Sequence, residues 1–272
     1  MKGPLQIDFE ALWQEGMHDW HGNMPKRMVD DALEEAFWEA SIAKKKPKQT
    51  DPYADIIFQE IKPYLDEQDR VLEIGPGWGN YTFPLENTVQ SVTCVDSSAS
   101  VIAYLKAHTK RAELIHAKFE EVELAPHDVV VGVNCFYRMY YMNQTLRKMN
   151  ELATKRAMIG MTTGPIQPHY TYLHEKFGYG IKFPRRDYIE IVNMLYQLGI
   201  YADCKVVPVK KEYRYTTKED MLRVQSKKIL DATFDQKHVE EALEQFTTYN
   251  GQAYCYEVPF YAAMISWEPR KI

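Results

Sequence analysis

Short apolar runs bounded by polar residues recur at 71–74, 91–95, 128–133 and 156–161, and their near-continuous valine, leucine and isoleucine content predicts strands buried on both faces. Between them the apolar residues fall at helical spacing. Val101, Ile102, Leu105 and His108 follow a Ser97 or Ser98 cap, and Leu146, Met149 and Leu152 follow Asn143. Strands alternating with helices predict an α/β chain with a doubly wound, mostly parallel sheet. A third strand is expected at 113–116 and two later ones at about 202–209 and 256–265. A helix over 185–198 should stop at Gly199. Before the last strand, residues 212–250 read as a helical insertion. There Thr216-Thr217-Lys218-Glu219 resembles a capping box and Asp235 is a second cap.

Residues 1–50 precede the first strand and are expected to form a helical cap on an α/β domain over 51–272. Val29, Leu33, Phe37 and Ala40 recur at helical spacing, with Asp30, Asp31, Glu34, Glu35 and Glu39 on the other faces, so the apolar stripe is expected to pack and the acids to face water. Lys44-Lys45-Lys46-Pro47-Lys48 then reads as a solvated helix end, and Asp51-Pro52 as the start of the next helix.

Composition narrows the choices. A chain of 272 residues with 45% hydrophobic content can bury a sizeable core, and a formal net charge of −5 disfavours nucleic acid as a partner. Cys94, Cys135, Cys204 and Cys255 form no close pair of the metal-binding kind, so no metal site is expected. No stretch approaches the ~20 apolar residues that span a bilayer, and the first residues lack a signal-peptide core. A cytoplasmic protein is expected, with its oligomeric state open and a homodimer possible.

Chemistry concentrates after the first strand, at Glu73-Ile74-Gly75-Pro76-Gly77-Trp78-Gly79-Asn80. Alternating glycines allow close approach of a ligand to the backbone, and a following helix start offers unpaired N–H groups. The spacing departs from the dinucleotide pattern, because Asn80 stands where that loop wants Gly or Ala. Glu73 would repel a pyrophosphate and attract an ammonium group. The second strand ends in Asp96, whose carboxylate can accept two hydrogen bonds from a cis-diol.

This set resembles the first motif of the Rossmann-like (class I) S-adenosylmethionine-dependent methyltransferases, over residues 69–161. The resemblance implies a seven-stranded sheet and S-adenosylmethionine as cofactor. It implies that Gly75, Gly77 and Gly79 wrap the methionine half, with Glu73 at its amino group and Asp96, followed by Ser97, at the ribose. Phe119 and Glu120 would meet the adenine, although the usual Gly-Asp is replaced by Ala117-Lys118. Asn134 at the end of the fourth strand joins the cofactor set. The Asn-Pro-Pro-aromatic motif of some amino-methyltransferases is not matched, since Cys135-Phe136 replaces both prolines.

Tyr137, Tyr140 and Tyr172, with His18 and Trp20 from the cap, are candidate walls of a substrate pocket. Tyr137 and His169 are candidate catalytic groups, the latter in a proline- and aromatic-rich loop at 164–172. The expected reaction is methyl transfer to a small molecule with an oxygen or nitrogen nucleophile. The rival readings are a nucleic-acid methyltransferase, which would need Lys44 to Lys48, Arg185 and Arg186 gathered on one surface, and a non-catalytic cofactor-binding module. A nicotinamide-dependent oxidoreductase is more distant.

Overall fold

A computed structural model describes residues 4–18, 22–164, 166–182 and 187–271. Two compact units divide the chain, one formed by 1–162, 186–207 and 262–272 and the other by 163–185 and 208–261.

The first unit opens with helices α1 (Phe9–Gly16), α2 (Lys26–Val29), α3 (Asp31–Ile42) and α4 (Ala54–Ile61). The α/β core follows as β1 (Arg70–Ile74), α5 (Thr82–Glu86), β2 (Ser91–Asp96), α6 (Ala99–His108), β3 (Glu113–His116), β4 (His127–Val133), α7 (Met142–Leu152) and β5 (Ala153–Thr163). Further along come α8 (Pro168–Phe177), α9 (Tyr188–Gln197), β6 (Asp203–Tyr215), α10 (Lys218–Gln225), α11 (Gln236–Glu244), β7 (Thr247–Tyr249) and β8 (Tyr254–Trp267). Strands β6 and β8 contribute residues to both units.

Sheet order is β3-β2-β1-β4-β5-β8-β6, with β7 added antiparallel to β8. This is the expected seven-stranded path, and the small β7 is an extra strand near the end of the helical insertion. The pairs β1·β2, β1·β4, β2·β3 and β4·β5 are parallel. Connections leave β1 in opposite directions across the sheet, so the carboxyl ends of β1, β2 and β4 border the crevice where such sheets bind ligands. Val71, Leu72 and Ile74 of β1 and Val129, Val130 and Val131 of β4 are buried, as their near-continuous apolar runs require. Helices α7 and α9 supply Leu146, Met149, Ile191, Met194 and Leu195 to the same core, and Trp13 of α1 joins it, donating its Nε1–H to the Met139 carbonyl at 2.8 Å.

The N-terminal helices correct the amphipathic reading. Asp30 is extended and caps α3 through its carboxylate on Ala32 N and Leu33 N, so the expected single helix is broken at that residue. Val29, Leu33 and Phe37, the expected packing stripe, are exposed, whereas Glu34 is 3% exposed. Asp51 does not cap the next helix with its side chain, which begins at Ala54 and leaves the Asp51 carboxylate to Lys45 and Asn80.

In the second unit, Tyr170, Leu173, Met221, Val239, Leu243 and Tyr256 form a core of their own. Residues expected as an open loop are helical here, with Pro168 in the first turn of α8 where its missing N–H costs nothing. This corrects two site expectations. His169 is wholly buried between the Tyr256 hydroxyl, 2.8 Å from Nδ1, and the Gln225 carbonyl, 3.1 Å from Nε2. A carbonyl only accepts, so Nε2 carries the proton and Nδ1 accepts from Tyr256. Tyr172 donates to Glu241 at 2.6 Å and packs in the same cluster. Neither side chain lines the cleft described below.

Burial lowers the His169 pKa to about 4. A histidine depressed below its unfolded value stabilises the fold above about pH 6.5, and that contribution is lost as pH falls toward 4, on the order of 3 kcal/mol in full. Amide protection factors in α8 are expected to drop over that window. His169→Gln should flatten the drop, and a wild-type unit indifferent to pH between 6.5 and 4 would sink this reading.

Candidate functional site

The loop between β1 and α5 is built from backbone conformations that L side chains rarely adopt. Gly75, Gly77 and Gly79 have φ of +59°, +53° and +85°. A Cβ on Gly75 would stand 2.3 Å from Cys135 Cβ, and one on Gly79 would stand 2.6 Å from the Phe83 ring. Gly75 and Gly77 border a cleft of about 460 Å³ at the carboxyl ends of β1, β2 and β4. Gly79 does not line it, and its requirement is close packing on α5.

Asp96 lines the cleft from the end of β2 and is aimed by two backbone donors, Ser98 N at 2.9 Å and Gly77 N at 3.5 Å. Burial, only partly offset by those donors, raises its pKa to about 6. Ser97, Phe119, Glu120, Asn134, Tyr137 and Tyr140 line the same cleft, as the sequence suggested. His18 does not; its Nδ1 donates to the Gln14 carbonyl within the N-terminal helix region. Trp20 lies outside the described residues, as do Arg185 and Arg186 of the nucleic-acid alternative.

Glu73 also departs from expectation. Its carboxylate is 2% exposed, is absent from the cleft wall, and accepts from Thr82 Oγ1 at 2.6 Å beneath the loop. Desolvation raises its pKa to about 7 despite help from Thr82 and Cys94. Any action on a ligand therefore comes from below the glycines and not by lining the cleft.

Sequence reasoning missed the part played by α3, which puts Trp38 in the cleft wall while its acidic face fastens the helix to neighbouring elements. Glu34 accepts from Arg27 Nε at 2.9 Å, Trp38 Nε1 at 2.8 Å and the Tyr137 hydroxyl at 2.5 Å. Burial opposes its ionisation, but Arg27 and Tyr137 outweigh that and hold its pKa below the ordinary value. Glu35 accepts from Ala99 N, Ser100 N and Ser100 Oγ at the start of α6. Asp31 pairs with Lys118 and Arg138. Trp38 lies 3.1 Å from where a Gly77 Cβ would be and 5.5 Å, ring to ring, from Trp78. Asn80 joins this assembly. Its amide donates to Asp51 Oδ2 and its oxygen accepts from Asp51 N and Trp78 Nε1. The one signal available in sequence was the density of acids on α3.

The fit to an adenosyl ligand rests on this chain's own atoms. Tyr81 borders the cleft with a buried hydroxyl that has no hydrogen-bond partner among the described residues, and Arg138 there has an unpartnered Nε–H. A buried polar group without a partner costs roughly 1–3 kcal/mol, which a polar ligand can recover. Asp96 offers acceptor oxygens to a diol, and the glycine backbone leaves room beside it.

Residues 71–155 match a family model described as a methyltransferase domain. Among curated proteins none matches this sequence. Among solved structures, magnesium protoporphyrin IX methyltransferase from Synechocystis, with bound S-adenosylhomocysteine, aligns with a TM-score of 0.52 and 12% identity over 90% of this chain and 100% of that one. A Bacillus halodurans protein reported as a candidate methyltransferase aligns with a TM-score of 0.53 and 11% identity, over 79% and 98% of the two chains. The YcgJ protein of Bacillus subtilis aligns with a TM-score of 0.51 and 14% identity, over 81% and 99%. At these identities the likeness is one of fold. Residues 71–155 thus match a methyltransferase domain, carried on a fold shared with Rossmann-like methyltransferases.

Proposed function

We propose that this enzyme transfers the methyl group of S-adenosylmethionine to a small molecule held in the cleft. The observation that carries the reading is Asp96, aimed by Gly77 N and Ser98 N into a cleft bordered by Gly75 and Gly77. In this reading Asp96 accepts from the ribose hydroxyls, Phe119 and Glu120 meet the adenine, and Glu73 supplies negative charge beneath the amino group. When bound, S-adenosylmethionine supplies a sulfonium-activated methyl carbon whose bond to sulfur breaks with the electron pair left on sulfur. The protein's part is to hold an acceptor in line with that carbon and to exclude water.

Charge and size favour a small acceptor over nucleic acid. Asp51, Asp96, Glu120 and Glu121 line the cleft against Lys118 and Arg138, and these two cations pair with Asp31. Lys45 of the basic run pairs with Asp51 and sits 3.9 Å over the Trp78 ring. The aromatic wall of Tyr137, Tyr140 and Tyr141 suits a flat acceptor through stacking. We place the activity in the cytoplasm, which the four free cysteines fit. Among the described residues no helix is long and apolar enough to cross a membrane.

Calorimetric titration with S-adenosylmethionine, S-adenosylhomocysteine and NAD tests the donor. Binding of both adenosyl ligands without NAD is expected, and silence from both would overturn the reading. Affinity should also depend on pH. An accepting Asp96 must be ionised, so binding is expected to weaken as pH falls through about 6, by up to about tenfold per unit. Asp96→Asn should lower affinity by roughly ten- to a hundredfold and remove the part of the dependence centred near pH 6, leaving the part that Glu73 contributes near pH 7. An unaltered pH profile in the variant would take Asp96 out of the ribose role.

A further inference from the structure

Helix α3 carries its apolar side outward. At about 3.6 residues per turn, Glu34, Glu35, Trp38 and Ile42 fall on the side fastened to the protein, and Glu34 is the one buried residue of the helix. Ala32, Leu33, Ala36, Phe37, Ala40 and the C-cap Ala43 fall on the opposite side, and all six are exposed. A surface helix ordinarily buries such a stripe. Left in water, a contiguous apolar stripe marks an interaction surface.

This stripe is complementary to itself. Ala32, Ala36 and Ala40 form one row at i, i+4 spacing, a shallow groove, and Leu33 and Phe37 form a ridge beside it. A two-fold axis between residues 36 and 37 seats Leu33 against Ala40 of a second copy and Phe37 against its Ala36, and does the same in reverse. The Phe37 ring is 39% exposed yet held in place, with Arg27 Cζ 3.5 Å from its centroid. Charge selects the antiparallel arrangement. The exposed Asp30 precedes the helix and the exposed Lys44 follows it, so antiparallel copies set each Asp30 beside the other's Lys44. Parallel copies would oppose like charges at both ends.

We infer that the outward face of α3 is an interface between two copies of this chain, packed as an antiparallel helix pair about a two-fold axis. The 12 residues of α3 span about 18 Å. A contact of that length stays below the roughly 1,600 Å² of a standard-size interface, so the dimer is weak and reversible. Trp38 on the inward side lines the cleft, so the interface backs onto the ligand site.

Sedimentation velocity over a micromolar concentration series of the full-length protein tests the pairing. Wild type is expected to pass reversibly from monomer to dimer. Leu33→Lys should weaken association at least tenfold, and Lys44→Glu should weaken it too by facing Asp30 with a like charge. Because Leu33 is exposed, the unfolding temperature of the dilute variant should match wild type. Cysteine crosslinking tests the direction, in a Cys204→Ser background that removes the exposed native thiol. Ala36→Cys should form a disulfide between copies, whereas Ala43→Cys should not, since the two-fold axis holds those positions about 20 Å apart. A chain that is monomeric at every concentration leaves the stripe to a different partner and overturns the inference. A dimer indifferent to Leu33→Lys also overturns it, as does crosslinking at 43 that matches crosslinking at 36. Should Leu33→Lys fail to fold, Lys44→Glu and the crosslinks decide.

Discussion

Gly75→Ala is expected to leave no measurable S-adenosylmethionine binding and a protein destabilised by about 2–5 kcal/mol. Two costs combine. Positive φ at a non-glycine residue costs roughly 1–2 kcal/mol, and forcing a methyl group into a packed site about 1–3 kcal/mol more. The added Cβ would lie 2.3 Å from Cys135 Cβ, and neither atom can swing aside because both are fixed by their backbones. Either the glycine loop or the turn after β4 must move, and both border the cleft. Chemical denaturation and ligand titration measure the two effects. The double variant Gly75→Ala, Cys135→Gly should recover part of the stability by removing the clash while keeping the strained φ. Near-normal binding by Gly75→Ala alone would show that the loop tolerates displacement and that its tight geometry is not needed.

Glu34→Ala should be the most damaging change in the N-terminal helices, at about 2–4 kcal/mol. It withdraws one buried acceptor from Arg27, Trp38 and Tyr137 together. Taking a shared acceptor from half-buried donors costs more than the bonds were worth. Arg27 is 40% exposed and will be rehydrated, so most of the cost falls on Trp38 and Tyr137. Because Trp38 and Tyr137 both line the cleft, affinity for S-adenosylhomocysteine is expected to fall at least tenfold. Glu34→Gln retains an oxygen for Trp38 and Tyr137 and should lose only about 1 kcal/mol. Equal losses in the two variants would mean that charge, not acceptance from Tyr137, secures the helix.

The parallel sheet could be read from the chain because its strands are buried on both faces, and continuous aliphatic runs have few other destinations. The glycine loop was equally plain, since three closely spaced glycines fit a backbone that few other residues allow. Helix α3 was not. A helical period identifies residues that share a face without saying which face meets protein. Here the acids Glu34 and Glu35 find donors on other elements, and Leu33 and Phe37 are left outside. Glu73 shows a related limit, because a residue at a strand's end can lie in the site or beneath it. For His169 and Tyr172 the obstacle was local. Aromatic and proline content suggested a loop, but Pro168 begins a helix and both side chains bond within the second unit's core.

The Trp38–Trp78 pair gives the protein an optical sensor of its own. Two indoles 5.5 Å apart, one of them beneath the Lys45 ammonium, border the same cleft. A ligand entering there displaces water from both rings and alters the charge around them, so emission intensity and wavelength should report occupancy without a label. Rapid-mixing fluorescence can thus time the arrival and departure of ligand before any acceptor is identified, and Trp78→Phe would show which indole carries the signal.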